Sequence, residues 1–250
     1  MRKAVGLILV FLIGVTTINA QGGGDSGWNS KFGGAGGFTP VWVIPDLDGL
    51  NILSKDAGLG SFSNSGMITY GGSGFMYAMF LNNLRIGGLG FGGSISETGI
   101  VNGYNKEIDY SIGFGGISIE YSLPFIRNMA LSVGCIVGWG NQTIKVYQNK
   151  GSYSWGDLEN DLSNPPLSSS TFNTFTHKEL SNGFFTISPI MNFDFPVNRF
   201  VVLRIGAGYM IPFSDKWEVD NGNDFAGVPS SLNKNKFFIQ TGVFVGFFAL

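Results

Sequence analysis

Four charged residues could form a buried site in this chain. Arg85, Glu120, Asp194 and Arg204 each lie within a few residues of a short predicted turn. If the strands run as their alternation predicts, all four side chains project inward at the same end of the molecule. Charges removed from water persist only when they are paired and hydrogen-bonded. The pattern therefore predicts an arginine–carboxylate network that closes the base of an enclosed lumen, and a selectivity filter is the functional alternative.

His177 is the second candidate, because histidine is the commonest general base and this chain has only one. It falls in the longest predicted loop, 149–181, where hydroxyl and carboxylate groups surround it in sequence: Asp157, Glu159, Asp161, Ser168, Ser169, Ser170 and Glu179. A hydrolase triad could be drawn from this set, but triads are recognised by geometry that sequence does not show. We expect no enzymatic activity and keep a loop hydrolase as a minor alternative.

Two short motifs resemble binding loops only superficially. Gly88–Gly93 matches the dinucleotide pattern GxGxxG, but 94–97 continues a strand and no helix follows to hold a pyrophosphate. The segment 46–51 lacks the spacing of a calcium loop, and Asp46 more simply caps a short helix with Leu47, Leu50 and Leu53 on one side. One Cys and one His cannot supply a zinc site. We therefore expect neither a metal nor a cofactor.

The composition excludes several classes of protein. The 250 residues include 39 Gly and 23 Phe and are 44% hydrophobic, yet only 13% are charged. This is neither a disordered chain nor an ordinary enzyme domain. The net charge of −2, with no basic stripe, argues against a nucleic-acid partner.

The N-terminus predicts export. Arg2 and Lys3 precede a run of apolar residues and glycine at 4–15, and a small residue, Ala20, ends the segment. The pattern predicts a signal peptide over 1–20, since twelve residues are too few to span a bilayer. The Gly-rich segment 21–37 is predicted to be a flexible leader, which leaves 38–250 as a single domain.

Alternation with a period of two dominates the rest of the chain. Apolar residues alternate with a row of Gly, Ala and Ser, and the few charges fall on that small-residue row. A soluble sandwich would carry more Lys, Glu and Thr on its outer row, whereas a narrow barrel needs small residues inside and apolar residues toward lipid. At Gly115 and Gly116 the phase shifts by one residue, which predicts a β-bulge that keeps 108–114 on the lipid-facing row.

Eight strands are predicted, and their connections alternate between short and long. The strands cover 36–45, 66–80, 84–97, 106–123, 128–148, 182–195, 199–213 and 235–249. Short turns at one end and long loops at the other are typical of outer-membrane barrels. Aromatic residues near the strand ends predict girdles at the two membrane interfaces: Tyr70, Tyr77, Phe80, Tyr110, Tyr121, Trp139, Tyr209 and Phe213.

In this pattern the chain resembles the small eight-stranded outer-membrane barrels of the OmpA and OmpX shape. The resemblance implies an antiparallel up-and-down transmembrane barrel in the outer membrane, with the lipid bilayer as its first partner. Those families commonly end in an aromatic residue, whereas this chain ends in Leu250. We expect a structural, adhesive or envelope-integrity role through polar extracellular loops, which carry Trp155 and Trp217 and bind a surface partner. A narrow channel for small solutes and a secreted soluble β-sandwich remain alternatives.

Overall fold

The computed structural model describes residues 32–78, 81–123, 129–151, 154–156, 159, 163, 175–198, 200–214, 216–220 and 222–249. The predicted signal peptide and most of the predicted leader lie outside this set. The first strand begins at Phe32. It therefore occupies the last residues of the segment predicted as a flexible leader.

The described chain is a closed ring of antiparallel strands. Its strands are β1 (Phe32–Phe38), β2 (Val41–Ile44), β3 (Met67–Tyr77), β4 (Leu84–Val101), β5 (Tyr104–Leu123), β6 (Ala130–Asn149), β7 (Phe175–Pro196), β8 (Val201–Phe213), β9 (Trp217–Val219), β10 (Asn223–Phe225) and β11 (Lys236–Ala249). The helices with described bounds are α1 (Asp48–Asp56) and a 3-10 helix at Ser230–Asn233.

Eight positions make up the ring, because β1 and β2 together form its first strand, interrupted at Thr39 and Pro40. Both halves pair with β11 on one side and β3 on the other, and each later ring strand pairs with the next. Closure runs from Phe32 opposite Ala249 to Ile44 opposite Phe237. The predicted eight-stranded barrel is confirmed, and the soluble sandwich is wrong because the sheet closes on itself.

Four ring strands are longer than the others. β4, β5, β6 and β7 have 18 to 22 residues, whereas β3, β8 and β11 have 11 to 14. The ends of these four strands that lie away from the short turns form a sheet that we call the wall. At its edge, β9 pairs with β7 and β10 pairs with β9. Where β4 and β5 end in the wall, Asn102 and Gly103 both have positive φ and form a two-residue turn between them. The predicted loop 98–105 is therefore mostly strand.

An apolar belt covers the outer face of the ring. Leu203, Ile205 and Tyr209 of β8 are exposed, whereas Arg204, between them in sequence, is buried. The same alternation continues around the ring, with exposed Ile117, Ile119, Val137, Trp139, Met191, Phe195, Val243 and Val245. In a lipid bilayer this row would face acyl chains, as the sequence pattern predicts.

The predicted bulge at Gly115 and Gly116 is wrong. β5 stays in unbroken register with β4 from Tyr104 to Tyr121 and with β6 from Asn105 to Leu123. Because its alternation never slips, Ile108, Tyr110, Ile112 and Phe114 face the interior and are buried, while Ile117 and Ile119 face outward. The apolar row thus changes sides because the lumen itself changes from polar near the short turns to apolar near the wall.

Glycines make room for large rings inside the barrel. A Cβ added to Gly208 would lie 2.2 Å from Cζ of Phe238, and one added to Gly140 would lie 2.4 Å from Cζ of Phe184. Both phenylalanines are buried. The steric reason inferred for the small-residue row is therefore visible at individual contacts.

Helix α1 lies in the first long loop and covers the mouth of the barrel. Leu47 and Leu50 pack into the apolar interior, as the predicted stripe requires, but Leu53 is exposed. The predicted cap is wrong, because Leu47 occupies the N-cap position and no side chain caps the helix; Asp46 precedes it and accepts a hydrogen bond from the Asp48 N–H. Gly58, with φ +80°, follows the helix. Among the described residues, no helix is long and apolar enough to cross a membrane.

Candidate functional site

The structure brings the four charged candidates together inside the barrel. Arg85 lies opposite Glu120 in the β4–β5 ladder, and Asp194 lies opposite Arg204 in the β7–β8 ladder. Each is close to a short connection, so their strands deliver all four side chains to the same end of the lumen. None has more than 5% of its surface exposed. We call this group the base network.

Asp194 is the centre of the base network. Arg204 holds it with two nearly parallel hydrogen bonds, Nε to Oδ1 at 2.6 Å and Nη2 to Oδ2 at 2.9 Å. Arg85 Nη1 pairs with the same Oδ2 atom. A planar guanidinium matches the two oxygens of a carboxylate, which gives such pairs both strength and a fixed geometry.

Glu120 completes the network through neutral donors. Its Oε2 accepts hydrogen bonds from Ser132 Oγ at 2.8 Å and Asn192 Nδ2 at 3.1 Å. Its Oε1 lies 3.5 Å from Arg204 Nη1. Two guanidinium groups and two carboxylates balance in charge, which is the condition for keeping ions out of water.

Aromatic rings frame the two arginines. The Arg204 Cζ atom lies 4.5 Å from the centroid of Phe75 and 4.9 Å from that of Phe244. Arg85 lies 4.7 Å from Phe75 and donates to the Tyr77 hydroxyl at 2.7 Å. Cation–π contacts of this kind hold the guanidinium planes in place. Tyr77, predicted to lie in an interfacial girdle, is instead part of this interior, and so is buried Tyr110 higher in the lumen.

Sequence analysis did not identify the partners Ser132, Asn192 and Phe75. Ser132 and Asn192 stand on the same inward row as the charges, so the alternation already contained a signal for them. Phe75 had no such signal, because a ring that packs on a guanidinium and a ring that faces lipid alternate in the same way.

Above the base network the lumen is filled with apolar side chains. Phe91 lies 5.3 Å from Phe114 and 6.1 Å from Phe238 between ring centroids. All three are buried, and Ile136 and Ile190 belong to the same cluster. We call Phe91, Phe114 and Phe238 the aromatic layer.

The mouth is closed by polar and apolar contacts together. Gly49 of α1 donates its N–H to Ser231 Oγ at 3.2 Å, and Trp217 Nε1 donates to Asn233 Oδ1 at 3.0 Å. We call α1 and the 3-10 helix the mouth cover. A hydrogen bond of 2.7 Å from Lys234 Nζ to Asp46 Oδ2 joins the loops that carry them and lowers the pKa of the Asp46 carboxyl below its ordinary value.

The two tryptophans assigned to the exposed loops differ in environment. Trp155 is exposed, as predicted, whereas Trp217 is buried beneath the mouth cover. Trp217 therefore stabilises the closed mouth and is not presented at the surface.

His177 is not in a loop. β7 begins at Phe175, so His177 is an exposed strand residue of the wall, opposite Tyr147 of β6. Its ring stacks on Tyr147 at 4.6 Å between centroids, with the planes 6° apart. Ser168, Ser169, Ser170, Asp157 and Asp161 lie outside the described residues. Within the described residues, the ring contact of His177 is thus with Tyr147.

The remaining candidates have structural environments. Gly88–Gly93 lies within strand β4, so the dinucleotide pattern has no helix after it. Cys135 is half-buried on the outer row of β6. In the part of the chain that the structure describes, no three His, Cys, Asp or Glu side chains converge as metal ligands would.

Comparisons with known proteins find similarity only to solved structures, and only at low sequence identity. No protein-family profile matches it, and no curated protein matches its sequence. Solved structures similar to it include the outer membrane protein OprG of Pseudomonas aeruginosa, at 12% identity and a TM-score of 0.49, covering 90% of this chain and 99% of OprG.

Two further structures are similar to the chain. Neisserial surface protein A has 11% identity and a TM-score of 0.44 over 87% of this chain and 98% of its own. The attachment protein Ail of Yersinia pestis has 12% identity and a TM-score of 0.42 over 86% and 97%. The class of protein to which this chain belongs therefore follows from the geometry of the chain itself. A closed ring of eight strands with an apolar outer belt and a charged, filled interior makes it an outer-membrane β-barrel.

Proposed function

We propose that this protein is a non-conducting outer-membrane scaffold that presents the wall at the cell surface. The observation that carries the proposal is the filling of the lumen at three successive levels. The base network, the aromatic layer and the mouth cover follow one another along the barrel axis. The first two consist of buried side chains, and the mouth cover buries Leu50 and Leu232 against the interior. Eight strands enclose only enough space for side chains to fill. A scaffold of this kind acts through what it displays at its ends.

The alternative of a narrow channel draws on the same charged residues. A selectivity filter requires ionised groups that line a water-filled passage. The charges of the base network instead bond to one another and lie against aromatic rings. This arrangement favours a structural role for the four residues over an ion path.

Conductance across planar bilayers tests the proposal. The refolded protein should migrate differently on gels when unheated and when boiled, which shows that the barrel has formed. It should then give no discrete conductance steps. A variant in which residues 48–56 are replaced by a short Gly–Ser linker should stay silent too, because two filled levels remain beneath the mouth. Conductance steps that change with Arg204→Ala or Glu120→Ala would establish the channel instead.

A further inference from the structure

The outer face of the wall carries a cleft that the scaffold role does not use. It has a volume of about 260 Å³ and is lined by Thr98, Gly99, Ile100, Asn105, Lys106, Glu107, Tyr147 and Asn149. Tyr147 is eight residues beyond Trp139 of the apolar belt, which is about 26 Å of strand. The cleft therefore opens on the side of the long loops, beyond the bilayer.

Two rows of neighbouring strand residues build the cleft. Thr98, Glu107 and Tyr147 are successive partners across β4, β5 and β6. One row farther from the membrane, Ile100, Asn105 and Asn149 are partners in the same way. Because these side chains leave one face of a continuous sheet, their spacing is fixed by the strands and not by a mobile loop.

Tyr147 supplies a rigid aromatic platform. Its ring is stacked against His177 on the side toward β7, and it lines the cleft on the side toward β5. A ring packed on one face loses little freedom when a ligand covers the other face. His177 is therefore a positioning residue that acts through Tyr147.

The polar groups of the cleft still have capacity for a ligand. Asn105 Nδ2 donates to Asn149 Oδ1 at 3.1 Å, which leaves the Asn105 carbonyl oxygen as an acceptor and the Asn149 amide group as a donor. Thr98 adds a hydroxyl. Among the hydrogen bonds and ion pairs of the described residues, none involves the Glu107 carboxylate.

Two lysines near the cleft already have other partners. Lys145 lies 3.4 Å from Glu179, and Lys106 Nζ donates to the Ala57 carbonyl. Lys106 projects from the opposite face of β5 to Glu107, so the Glu107 carboxylate is the charge that the outer face of the cleft presents, and it disfavours sulfated or carboxylated ligands.

We propose that this cleft binds a pyranose ring of a neutral or amine-bearing glycan. One face of a pyranose carries C–H groups that pack on an aromatic ring, and its edge carries hydroxyls that pair with amide and carboxylate groups. The cleft offers this combination through Tyr147, the pair Asn105 and Asn149, and Glu107. This inference rests on the proposed function, in which the wall is displayed at the cell surface, and it identifies a glycan as the ligand of the wall.

Binding to a panel of short sugars tests this proposal. The panel contains maltotriose, triacetylchitotriose, a glucosamine trimer and a sulfated heparin disaccharide. The barrel is held in an amine-oxide detergent, which avoids sugar headgroups, and saturation-transfer NMR measures affinity. At least one unsulfated sugar should bind with a Kd below ~10 mM, and the sulfated disaccharide should bind more weakly.

Variants then assign the binding to the cleft. Tyr147→Ala should weaken binding about tenfold, and Tyr147→Phe should bind within about twofold of the wild type. His177→Ala should weaken binding by a smaller factor, and His177→Phe should restore it by restoring the stack. Glu107→Gln should reduce the difference in affinity between the unsulfated sugars and the sulfated disaccharide. Ser96→Ala, on the same face one row nearer the membrane than Thr98 and Glu107, is the matched control and should bind as the wild type does.

Two results would overturn the inference. One is a folded wild type, verified by its heat shift on gels, that binds no sugar of the panel. The other is a Tyr147→Ala variant with unchanged affinity. Neither result affects the proposal of a filled, non-conducting lumen, which conductance tests separately.

Discussion

At the scale of single residues, Asp194 is the group on which the base network depends. It pairs with Arg85 and Arg204 at once, whereas Glu120 is satisfied mainly by neutral donors. Removing Asp194 would leave two buried guanidinium groups with one weakly placed carboxylate between them. A buried charge without its partner is far more costly than the intact pair is favourable.

Asp194→Ala should therefore lower the free energy of unfolding by about 3–5 kcal/mol. Urea unfolding of the barrel refolded in lipid vesicles, followed by tryptophan fluorescence, measures this. The matched control is Glu179→Ala, which removes a carboxylate from the exposed pair with Lys145 and should cost less than about 1 kcal/mol. Equal losses in the two variants would contradict a network stabilised by Asp194.

Proximity to turns was enough to predict the four charged residues, because inward direction and height in the barrel both follow from strand position. The aromatic residues that pack on these charges are harder to predict from the sequence. Which ring packs on Arg204 depends on the neighbour across the lumen, and that neighbour is distant in sequence. Phe244 and Phe75 illustrate this, since 169 residues separate them and their ring centroids are 5.8 Å apart.

At the scale of elements, β5 shows why alternation alone could not assign both faces. Toward the wall, β5 buries apolar residues, and toward the short turns it buries Ser118, Glu120 and Ser122. A bulge with a uniformly polar lumen and a straight strand with a two-part lumen produce the same sequence pattern. Asn102 and Gly103, by contrast, form the Asn-Gly pair that favours a two-residue hairpin turn, so the sequence does contain a signal for the short connection between β4 and β5.

Strand β8 offers a direct test of the steric role of interior glycine. Gly208→Ala should lower the free energy of unfolding by about 1–3 kcal/mol, because the added methyl group meets the buried Phe238 ring at 2.2 Å. Gly113→Ala on the outer face of β5 is the control, since nothing lies within 4 Å of its added Cβ, and it should change stability by less than about 0.5 kcal/mol. Combining Gly208→Ala with Phe238→Leu should cost less than the two single changes added together. If Gly208→Ala were as harmless as Gly113→Ala, the crowding argument would fail.

At the scale of the whole molecule, the barrel is asymmetric from end to end. Strands β3, β5 and β7 reach β4, β6 and β8 through connections of four to six residues, whereas the wall, the mouth cover and the loops of up to 25 residues share the opposite end. Both ends of the described chain lie beside the short connections, because Phe32 pairs with Ala249. In outer-membrane barrels the short turns face the periplasm and the long loops face outward. This asymmetry fixes which end the proposed glycan cleft presents to the surroundings.

Cysteine labelling on intact cells tests that orientation. The chain has one cysteine, so Cys135→Ala provides a background with none. Trp155→Cys, at an exposed position in the longest loop, should react with a membrane-impermeant maleimide on intact cells. Asn82→Cys, at an exposed position in the turn before β4, should react only after the outer membrane is disrupted. The reverse pattern would place the wall and its cleft in the periplasm, where no glycan of another cell could reach them.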